Sequence, residues 1–358
     1  MKILKKITLT SFRNYSFSEF LFNSSITCIT GANGSGKTNL LDAVYYLCYT
    51  KSYFTASQQH IAQNGGEGFR LEAQFANGEE QEKIACKWKQ GKKELQADGV
   101  DYERVTDHIG KYTAVMIAPD DLELINGGSE LRRKWIDSVL VLTDRRYLDA
   151  LMKYQKVLQQ RNAWLKQEAL KPTGDNTALD FYNQNLVADG TYIYDCRKAF
   201  LEEYIHLLKD FYAELSGGKE ASSIEYKTDL NNNTLENLLK QSLQNDLYLQ
   251  RTTKGVHKDD LTFLLNESPT KQYASQGQKK SFLFALKLAQ YAYLSQKLGN
   301  YPILLLDDIF EKLDEQRIKA LLKIIHGTGF GQVLITDTHA DRIRDAFGEG
   351  AEVDFIGL

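Results

Sequence analysis

Along this chain, short runs of consecutive apolar residues alternate with segments whose apolar residues recur at helical spacing. Ile303–Leu306 and Val333–Ile335 are apolar at every position, which is typical of strands buried on both faces of a sheet. A third run, SITCIT, has strand character and leads directly into a glycine-rich stretch that starts at Gly31. The residues after that stretch are apolar at helical spacing, at Leu40, Leu41, Val44 and Leu47 or Cys48. These patterns predict an α/β fold in which a strand, a glycine-rich loop and a helix follow one another.

The middle of the chain has the pattern of a helical hairpin. A first helix should run to about Leu170, with its mostly apolar face at Tyr147, Leu151, Tyr154, Leu158, Arg161 and Leu165. The segment KPTGDNTA interrupts it. A second helix should end at Gly217–Gly218, with one side formed by Phe200, Tyr204, Leu207, Leu208 and Phe211. We expect an inserted α-helical lobe at 119–218 and a discontinuous domain made of 1–118 and 219–358.

Composition and charge limit the classes of protein to consider. The 358 residues are 42% hydrophobic and 25% charged, as in ordinary globular proteins. The start of the chain lacks the apolar core of a signal peptide, and the longest apolar run is far shorter than the ~20 residues that span a bilayer. We therefore expect a cytoplasmic protein without a membrane partner. The net charge is −3, so any binding to nucleic acid must use a local basic patch.

The stretch GANGSGKTN matches the phosphate-binding pattern G-x-x-x-x-G-K-[ST] at every position. Glycines let the backbone curl so that its N–H groups point at phosphate oxygens, and the following helix adds its positive end. Lys37 would bridge the β- and γ-phosphates of ATP, and the Thr38 hydroxyl would bind Mg²⁺. The candidate nucleotide-binding residues of this Walker A loop are Gly31, Asn33, Gly34, Ser35, Gly36, Lys37, Thr38 and Asn39.

A pair of carboxylates follows the buried strand ILLL near the other end of the chain. Asp307 is the candidate magnesium ligand, and Asp308 is the candidate catalytic base that orients and polarises the attacking water. An aspartate that merely caps a helix is the alternative. A Walker A loop in the same chain favours the catalytic interpretation, in which Asp307 and Asp308 form a Walker B site.

A polar segment lies about thirty residues before these carboxylates. Ser275, Gln276, Gly277 and Gln278 stand directly before a strongly apolar helix, and they resemble the LSGGQ signature of ABC-type ATPases. A serine hydroxyl and a glycine backbone at a helix start form a second cap for phosphate. The alternative is a polar helix cap with no further role. The resemblance implies that this signature closes over the nucleotide of a partner protomer, and hence a homodimer formed on ATP.

Two further segments agree with an ABC-type head. Asp314 follows the carboxylates where this class of ATPase carries its D-loop. After the strand Val333–Ile335 comes a polar segment in which His339 is the candidate switch residue that senses the γ-phosphate. Asp337 or Thr338 could occupy the equivalent position instead. A further alternative is that His339 is a surface histidine without a functional role.

The chain resembles the RecF family, bacterial recombinational-repair ATPases of the SMC-like branch of ABC proteins. The resemblance covers nearly the whole chain and is carried by SFRNY, GANGSGKTNLLDAVYYL, KSYFT, MIAPDDLELINGGSELRRKWID, YLDALMKYQKVLQQRNAWL, GVHKDD, SQGQKKS and LLLDDIFEKLD. Two positions depart from the family pattern. Phe54 stands where arginine is usual, and GVHKDD, with Lys258, replaces a GPHRDD-like run.

The resemblance implies a fold, a function and partners. The fold is an ABC-type P-loop ATPase head with a mixed sheet, flanking helices and the inserted helical lobe. Arg13 of SFRNY would contact the nucleotide phosphates. The function is a weak, DNA-stimulated ATPase whose ATP-driven dimer clamps double-stranded DNA at gaps and junctions, and slow hydrolysis releases it. The family acts with RecR and RecO in loading recombinase, replication restart and the SOS response.

Residues that contact DNA are harder to identify from the sequence. The candidates are Arg132, Arg133 and Lys134, with Arg145, Arg146, Lys92 and Lys93 as further cations. Each could equally belong to a solvated helix face or support packing within the helical lobe. No base-reading motif occurs, so recognition should concern the shape and backbone of DNA.

Two other functions fit a P-loop and need different surroundings. The subunit of an ABC transporter would work with membrane proteins, but SFRNY and the helical lobe argue against it. A metabolic phosphotransferase would work as a monomer without a signature motif.

Overall fold

The computed structural model describes residues 2–63, 66–309, 315–327, 329–347 and 352–358. The chain divides into two compact units. The first unit contains Met1–Leu122, Phe211–Lys219 and Gln276–Leu358, and the second contains Glu123–Asp210 and Glu220–Ser275.

The described residues form runs of strands and runs of helices. The strands are β1 (Ile3–Phe12), β2 (Tyr15–Leu21), β3 (Ile26–Thr30), β4 (Gly68–Asn77), β5 (Glu80–Lys89), β6 (Lys92–Ala97), β7 (Val100–Asp101), β8 (Ala114–Ile117), β9 (Ser222–Lys227), β10 (Asp260–Leu265), β11 (Ser268–Pro269), β12 (Ile303–Leu306), β13 (Val333–Asp337) and β14 (Val353–Gly357). The helices are α1 (Lys37–Tyr49), α2 (Glu123–Asn126), α3 (Ser129–Thr143), α4 (Arg145–Leu170), α5 (Thr177–Ser216), α6 (Leu235–Leu249), α7 (Thr270–Tyr273), α8 (Gln276–Leu298), α9 (Glu315–His326) and α10 (Ala340–Phe347).

The first unit contains a parallel sheet in the order β14-β3-β13-β12-β8. All four pairings are parallel, so the C-terminal ends of the strands lie at the same edge of the sheet. Thr30 pairs with Asp337, and Leu306 pairs with Ile335 and Ile117. The strands β8 and β12 are buried at every position, which is why their sequences show no alternation.

An antiparallel sheet in the order β2-β1-β4-β5-β6-β7 completes this unit. Its inner strands alternate between buried and more exposed residues, as expected when one face of a sheet packs against a core. The helix α1 contacts β13 and β8 of the parallel sheet and β1, β4 and β5 of the antiparallel sheet. One hydrophobic core therefore holds the phosphate-loop helix between strands of both sheets.

The second unit combines the predicted helical hairpin with a small sheet. The first long helix ends at Leu170 and the second at Ser216, so both predicted helix ends are confirmed. The strands β9, β10 and β11 form an antiparallel sheet of their own. The helix α3 packs on β10, and the ring centroid of Trp135 lies 6.3 Å from that of Phe263.

The boundaries of the two units differ from those expected from the sequence. Residues 220–275 were expected in the ATPase domain, but they group with the helices, and 211–219 group with the first unit. The reason is the pairing of β9 with β10, which keeps both strands out of the other sheets. In the part of the chain that the structure describes, no helix is both long and apolar enough to cross a membrane.

The loop around His257 is fixed by buried hydrogen bonds in the second unit. The Tyr154 hydroxyl lies 2.8 Å from His257 Nδ1, and His257 Nε2 lies 3.1 Å from the carbonyl oxygen of Thr252. The neutral ring satisfies both contacts when Nε2–H donates and Nδ1 accepts. Burial lowers the pKa of His257 to about 4, and the hydrogen bond to Thr252 opposes that shift only in part.

We predict that this histidine makes the protein less stable in acid. The pKa of His257 is lower in the folded chain than the ~6.5 of an unfolded one, so the unfolded state binds the proton first as pH falls. Stability is therefore full above pH ~6.5 and declines towards pH ~4, with a loss of about 2.5 kcal/mol at pH 4.5. Urea denaturation of wild type and His257→Gln, above pH ~6.5 and at pH 4.5, measures how much of the acid-dependent loss of stability is due to His257. His206→Gln removes an exposed histidine of the same unit and should keep the wild-type pH dependence. An equal pH dependence in wild type and His257→Gln would contradict the prediction.

Candidate functional site

The glycine-rich loop lies between β3 and α1, as the sequence predicts. Gly36 caps α1 with φ of 114°, in the left-handed region that favours glycine. A Cβ atom there would lie 2.7 Å from both Asn14 Nδ2 and the Tyr15 hydroxyl. A Cβ at Gly31 would lie 2.7 Å from the carbonyl oxygen of Leu358. Glycine is thus required at both positions by close neighbours, not only by the sequence motif.

Lys37 and Thr38 stand at the first turn of α1. Lys37 is 5% exposed, and its ammonium donates to the carbonyl oxygens of Gly31 at 2.8 Å and Ala32 at 3.0 Å. The loop is therefore curled around its own lysine. The positive end of α1 and this ammonium together form a place for an anion.

The Walker A threonine and the Walker B aspartate are in direct contact. The Thr38 hydroxyl lies 2.9 Å from Asp307 Oδ1 and 3.1 Å from Oδ2. Thr336 on the neighbouring strand β13 donates to Asp307 Oδ1 at 2.8 Å. Residues that are 269 positions apart in the sequence thus meet at one edge of the parallel sheet.

The environment of Asp307 favours a cation beside it. The pKa of this carboxyl is raised to about 6, mainly by burial and also by the charge of Asp308, although hydrogen bonds from Thr336 and Thr38 oppose the shift. A divalent cation would stabilise the ionised form of such a buried carboxylate. Thr38 and Asp307 supply the hydroxyl and carboxylate oxygens that Mg²⁺ prefers. These two residues therefore fit a magnesium ion.

Other atoms of the loop fit a nucleotide phosphate. The Ser35 hydroxyl is buried and has no hydrogen-bond partner among the described residues. A Cβ at Gly34 would meet nothing within 4 Å, so the outer side of the loop is open. An unpaired buried hydroxyl beside an ammonium and the positive end of a helix is suited to a phosphate oxygen.

Asp308 directly follows the buried carboxylate. Its backbone has φ of 47°, a left-handed conformation that aspartate tolerates better than most residues. Its N–H donates to the Thr336 hydroxyl at 3.0 Å, which fixes the turn after β12. The structure therefore holds Asp308 in a defined turn at the same sheet edge.

The polar segment after β13 contains the three alternatives for the switch residue. Asp337 is buried and its Oδ1 accepts the N–H of His339 at 2.7 Å, so it holds the turn. The Thr338 hydroxyl lies 2.7 Å from His339 Nδ1, and His339 is exposed. This arrangement favours His339 over Asp337, and its role stays a prediction.

The predicted signature segment leads into α8. The helix begins at Gln276 and not after Gln278 as expected, so only Ser275 of the four signature residues precedes it. A Cβ at Gly277 would lie 2.5 Å from Arg317 NH1, so glycine allows the α9 arginine to approach the helix start. The D-loop candidate Asp314 lies outside the described residues.

Arg13 has a different partner from the one expected. Its guanidinium NH2 lies 2.9 Å from Asp42 Oδ2 and 3.1 Å from the Ser52 hydroxyl, and Asp42 is fully buried in α1. A buried carboxylate needs a paired positive charge, and Arg13 supplies it. Arg13 therefore supports the Walker A helix through an ion pair, and its contact with nucleotide phosphates stays a prediction.

The next two residues of SFRNY support the loop, which the sequence did not reveal. Asn14 Nδ2 donates to the carbonyl oxygen of Ser35 at 3.1 Å, and its Oδ1 accepts from Asn39 at 2.8 Å. The Tyr15 hydroxyl donates to the carbonyl oxygen of Gly36 at 3.1 Å. Asn39 thus contacts Asn14. The only signal in the sequence is that both residues belong to the SFRNY motif itself.

A buried polar chain continues from Asp42 to the signature helix within the first unit. The Tyr53 backbone N–H donates to Asp42 Oδ1 at 2.8 Å, and the Tyr53 hydroxyl donates to Asp121. Lys287 of α8 donates to the Tyr53 hydroxyl at 2.8 Å and lies 3.2 Å from Asp121 Oδ2. The Walker A helix and the signature helix are therefore joined by charges that are almost fully buried.

The candidate DNA contacts of the second unit are mostly engaged. Arg132 is buried and binds Asp260 with two nitrogens, at 2.7 Å and 3.1 Å, which contradicts its expected role at the DNA surface. Arg133 is half-buried and donates to the carbonyl oxygen of Asp259 at 2.6 Å. Lys134 is exposed and pairs with Glu130 at 2.6 Å.

The other candidate cations are divided between the surface and internal contacts. Lys92, Arg145 and Arg146 are exposed, and the Arg146 guanidinium lies 4.0 Å from the ring centroid of Tyr192. Lys93 is half-buried and donates to the carbonyl oxygen of Thr50. Their roles at DNA stay predictions.

Comparison with known proteins agrees over nearly the whole chain. The family model described as RecF/RecN/SMC N terminal domain matches residues 3–351. The chain is 43% identical over 340 residues to the DNA replication and repair protein RecF of Flavobacterium johnsoniae, and the match covers 95% of each chain. It is 41% identical over 339 residues to the protein of the same name from Cytophaga hutchinsonii, covering 95% of this chain and 90% of that relative.

Solved structures give the same result. The recombination mediator protein RecF-ATPrS in the RecFOR pathway has a TM-score of 0.87 and 28% identity, covering 99% of this chain and 96% of that chain. The Smc head domain with an extended coiled coil from Pyrococcus furiosus has a TM-score of 0.58 at 16% identity, covering 100% of this chain and 93% of that chain, and shows the fold alone.

The first unit combines a phosphate loop, a carboxylate at the end of another strand of the same parallel sheet, and an antiparallel sheet. These features define the head of an ABC-type ATPase. Within that class, the family model and the sequence relatives both indicate one family. The chain belongs to the RecF family.

The ion pair of Arg13 leads to a test of what this residue does. We expect Arg13→Met to lower the free energy of unfolding by about 3 kcal/mol, because it leaves Asp42 buried and unpaired. We expect its affinity for ATP to fall as a consequence. The double variant Arg13→Met/Asp42→Asn should regain both stability and ATP affinity, since the amide can still accept from Tyr53 and Ser52.

Urea denaturation and binding of a fluorescent ATP analogue measure the two effects. Arg70→Met, which removes an exposed arginine paired with Glu72 in the same unit, is the matched control and should leave both values unchanged. A double variant that is as stable as wild type but still fails to bind ATP would show instead that Arg13 contacts the nucleotide directly.

Proposed function

We propose that this protein is an ATP-dependent DNA-binding protein of DNA repair, in which ATP joins two copies around DNA and hydrolysis releases them. The observation that carries this proposal is the contact between the Thr38 hydroxyl and the buried carboxylate of Asp307. It assembles the two halves of an ATPase site in one unit of one chain. The relatives reported above are DNA replication and repair proteins, which favours this function over that of a transporter subunit.

ATP would bind at the loop between β3 and α1. The loop N–H groups and the Lys37 ammonium would hold its phosphates, and the unpaired Ser35 hydroxyl would donate to an oxygen. Thr38 and Asp307 would hold Mg²⁺, which when bound neutralises charge on the phosphate oxygens. Lys37 would exchange the loop carbonyls it now contacts for phosphate oxygens of higher charge.

Asp308 is suited to the hydrolytic step. It follows Asp307 in a fixed turn at the same sheet edge. Its carboxylate would hold a water molecule by accepting a hydrogen bond, orient it towards the γ-phosphorus and take up its proton. The proposed rate is slow, as in a switch, and stimulated by DNA.

The signature segment explains why two copies are needed. Ser275, Gln276, Gly277 and Gln278 lie at the start of α8, where they would form a second cap for phosphate. In ABC-type ATPases this cap closes over the nucleotide of the partner protomer. To change a dimer from 1% to 99% populated, ATP must favour the closed state by about 5.5 kcal/mol. Two shared γ-phosphates with charge-assisted hydrogen bonds of ~1.5–3 kcal/mol each can supply that energy.

The partners of the proposed clamp follow from the family. One of the solved relatives is a recombination mediator in the RecFOR pathway, which supports RecR and RecO as partners of this chain. Double-stranded DNA with gaps or junctions is the proposed substrate of the clamp, and loading of recombinase the proposed outcome. Replication restart and the SOS response would depend on that loading.

The dimer can be tested by the molar mass in solution. We expect ATP–Mg²⁺ to double the mass of the wild type in multi-angle light scattering. Ser275→Arg should still bind ATP but stay monomeric, because a long charged side chain would block the cap for the partner's phosphate. The control Ser16→Arg replaces an exposed serine on β2 and should dimerise normally. A Ser275→Arg protein that still doubles its mass with ATP would exclude the proposed dimer.

A further inference from the structure

Three cations lie close together on the second unit and define a basic patch: Arg133, Arg251 and Lys258. Arg251 follows the C-terminal end of α6, and Lys258 belongs to the GVHKDD segment, for which the proposed ATPase mechanism has no use. Both side chains are exposed, and Arg133 is half-buried.

Backbone contacts fix the three residues beside one another. The hydrogen bond of 3.1 Å from His257 Nε2 to the carbonyl oxygen of Thr252 joins the residue before Lys258 to the residue after Arg251. The Arg133 guanidinium donates to the carbonyl oxygen of Asp259, next to Lys258, at 2.6 Å. The positive charges of Arg251 and Arg133 add to partial burial in lowering the pKa of Lys258, so the three charges repel one another.

The carboxylates around the patch are already paired with other residues. Asp246, the acid that attracts Lys258, binds the buried Arg161 at 2.8 Å. The three acids that attract Arg133 are each bound to another cation. These pairs are Asp259 with Arg197 at 3.2 Å, Asp260 with Arg132 at 2.7 Å and Glu130 with Lys134 at 2.6 Å.

Three buried arginines and Lys134 thus bind the acids that could have neutralised the patch. Among the described residues, the side chains of Arg251 and Lys258 make no hydrogen bond and no ion pair. The loop that carries Lys258 cannot easily turn away, because a Cβ at Gly255 would lie 2.6 Å from the Tyr154 hydroxyl and the loop is packed there. Like charges held together without a local counter-charge favour an external anion.

We propose that this basic patch binds phosphates of the backbone of double-stranded DNA. Arginine offers a planar fork to a phosphate, lysine offers a compact charge, and none of the three residues belongs to a base-reading motif. The inference rests on the proposed function and deepens it, because it places a DNA contact at named residues. Arg132, the predicted contact, instead neutralises Asp260 and helps leave the patch unpaired.

The test measures the salt dependence of DNA binding by the full chain. Fluorescence anisotropy of a labelled 30-base-pair duplex, with ATP and Mg²⁺, gives the affinity between 50 and 200 mM NaCl. Losing two phosphate contacts should make the slope of log affinity against log salt less steep by about 1.8 in Arg251→Gln/Lys258→Gln. The affinity difference from wild type should accordingly be about 12-fold larger at 50 mM than at 200 mM.

Two further variants distinguish DNA contacts made by the basic patch from the effect of the protein's net charge on DNA binding. Arg251→Lys/Lys258→Arg keeps both charges and should retain the wild-type slope. Lys227→Gln/Lys240→Gln removes two exposed charges of the same unit that pair with Glu225 and Glu236, and it should also retain that slope. The ATP-dependent mass of all variants should equal that of the wild type, which shows that the chain is folded.

Each result has one meaning. If the wild type binds the duplex and Arg251→Gln/Lys258→Gln binds with the same slope, the patch does not contact DNA and only this inference falls. If the wild type does not bind DNA at all, the proposed function falls with it. Inorganic phosphate at matched ionic strength should displace DNA no better than chloride. Stronger displacement that is lost in the double variant would assign the patch to free phosphate and overturn the proposal.

Discussion

The contact between Thr38 and Asp307 is the interaction on which the rest of the first unit depends. It requires that β3 and β12 end at the same edge of a sheet, which only parallel strands achieve. It also requires that β13 lies between them, so that Thr336 can complete the hydrogen bonds of the buried carboxylate. The parallel strand order, the glycine-rich loop and the two adjacent aspartates are therefore all needed for the contact between Thr38 and Asp307. Without it, Asp307 would be a buried acid with no partner.

A second layer of residues holds this site in place. Asn14 and Tyr15 fix the loop through its carbonyl oxygens, and Arg13 neutralises Asp42 on the helix behind it. The same Asp42 begins the chain of hydrogen bonds that ends at Lys287 on the signature helix. A displacement of the Walker A helix would therefore strain buried charges on the signature helix. This arrangement is suited to a protein in which nucleotide binding must be communicated to a second copy.

The sequence predicted those parts of the structure that depend on neighbours along the chain. The phosphate loop, the strand before Asp307 and the two long helices follow from local periodicity and glycine positions, and the structure confirms them. The start of α8 was expected after Gln278, but the helix already begins at Gln276. Pairings between distant segments could not be predicted in this way. The sequence shows Arg13 and Arg132 as cations in motifs, but not that Asp42 and Asp260 lie beside them. The grouping of 220–275 with the helices has the same cause, because strand pairing is not visible in periodicity.

The most direct test of the account is the effect of Mg²⁺ on nucleotide affinity. A fluorescent ATP analogue would be titrated into wild type, Thr38→Val and Asp307→Asn, once with Mg²⁺ and once with EDTA. Asp341→Asn, which changes an exposed carboxylate on α10, is the control. The account predicts that Mg²⁺ increases affinity in the wild type and the control, and that neither Thr38→Val nor Asp307→Asn responds to it. An undiminished response to Mg²⁺ in both variants would contradict the account, because the contact between Thr38 and Asp307 would then not be the metal site.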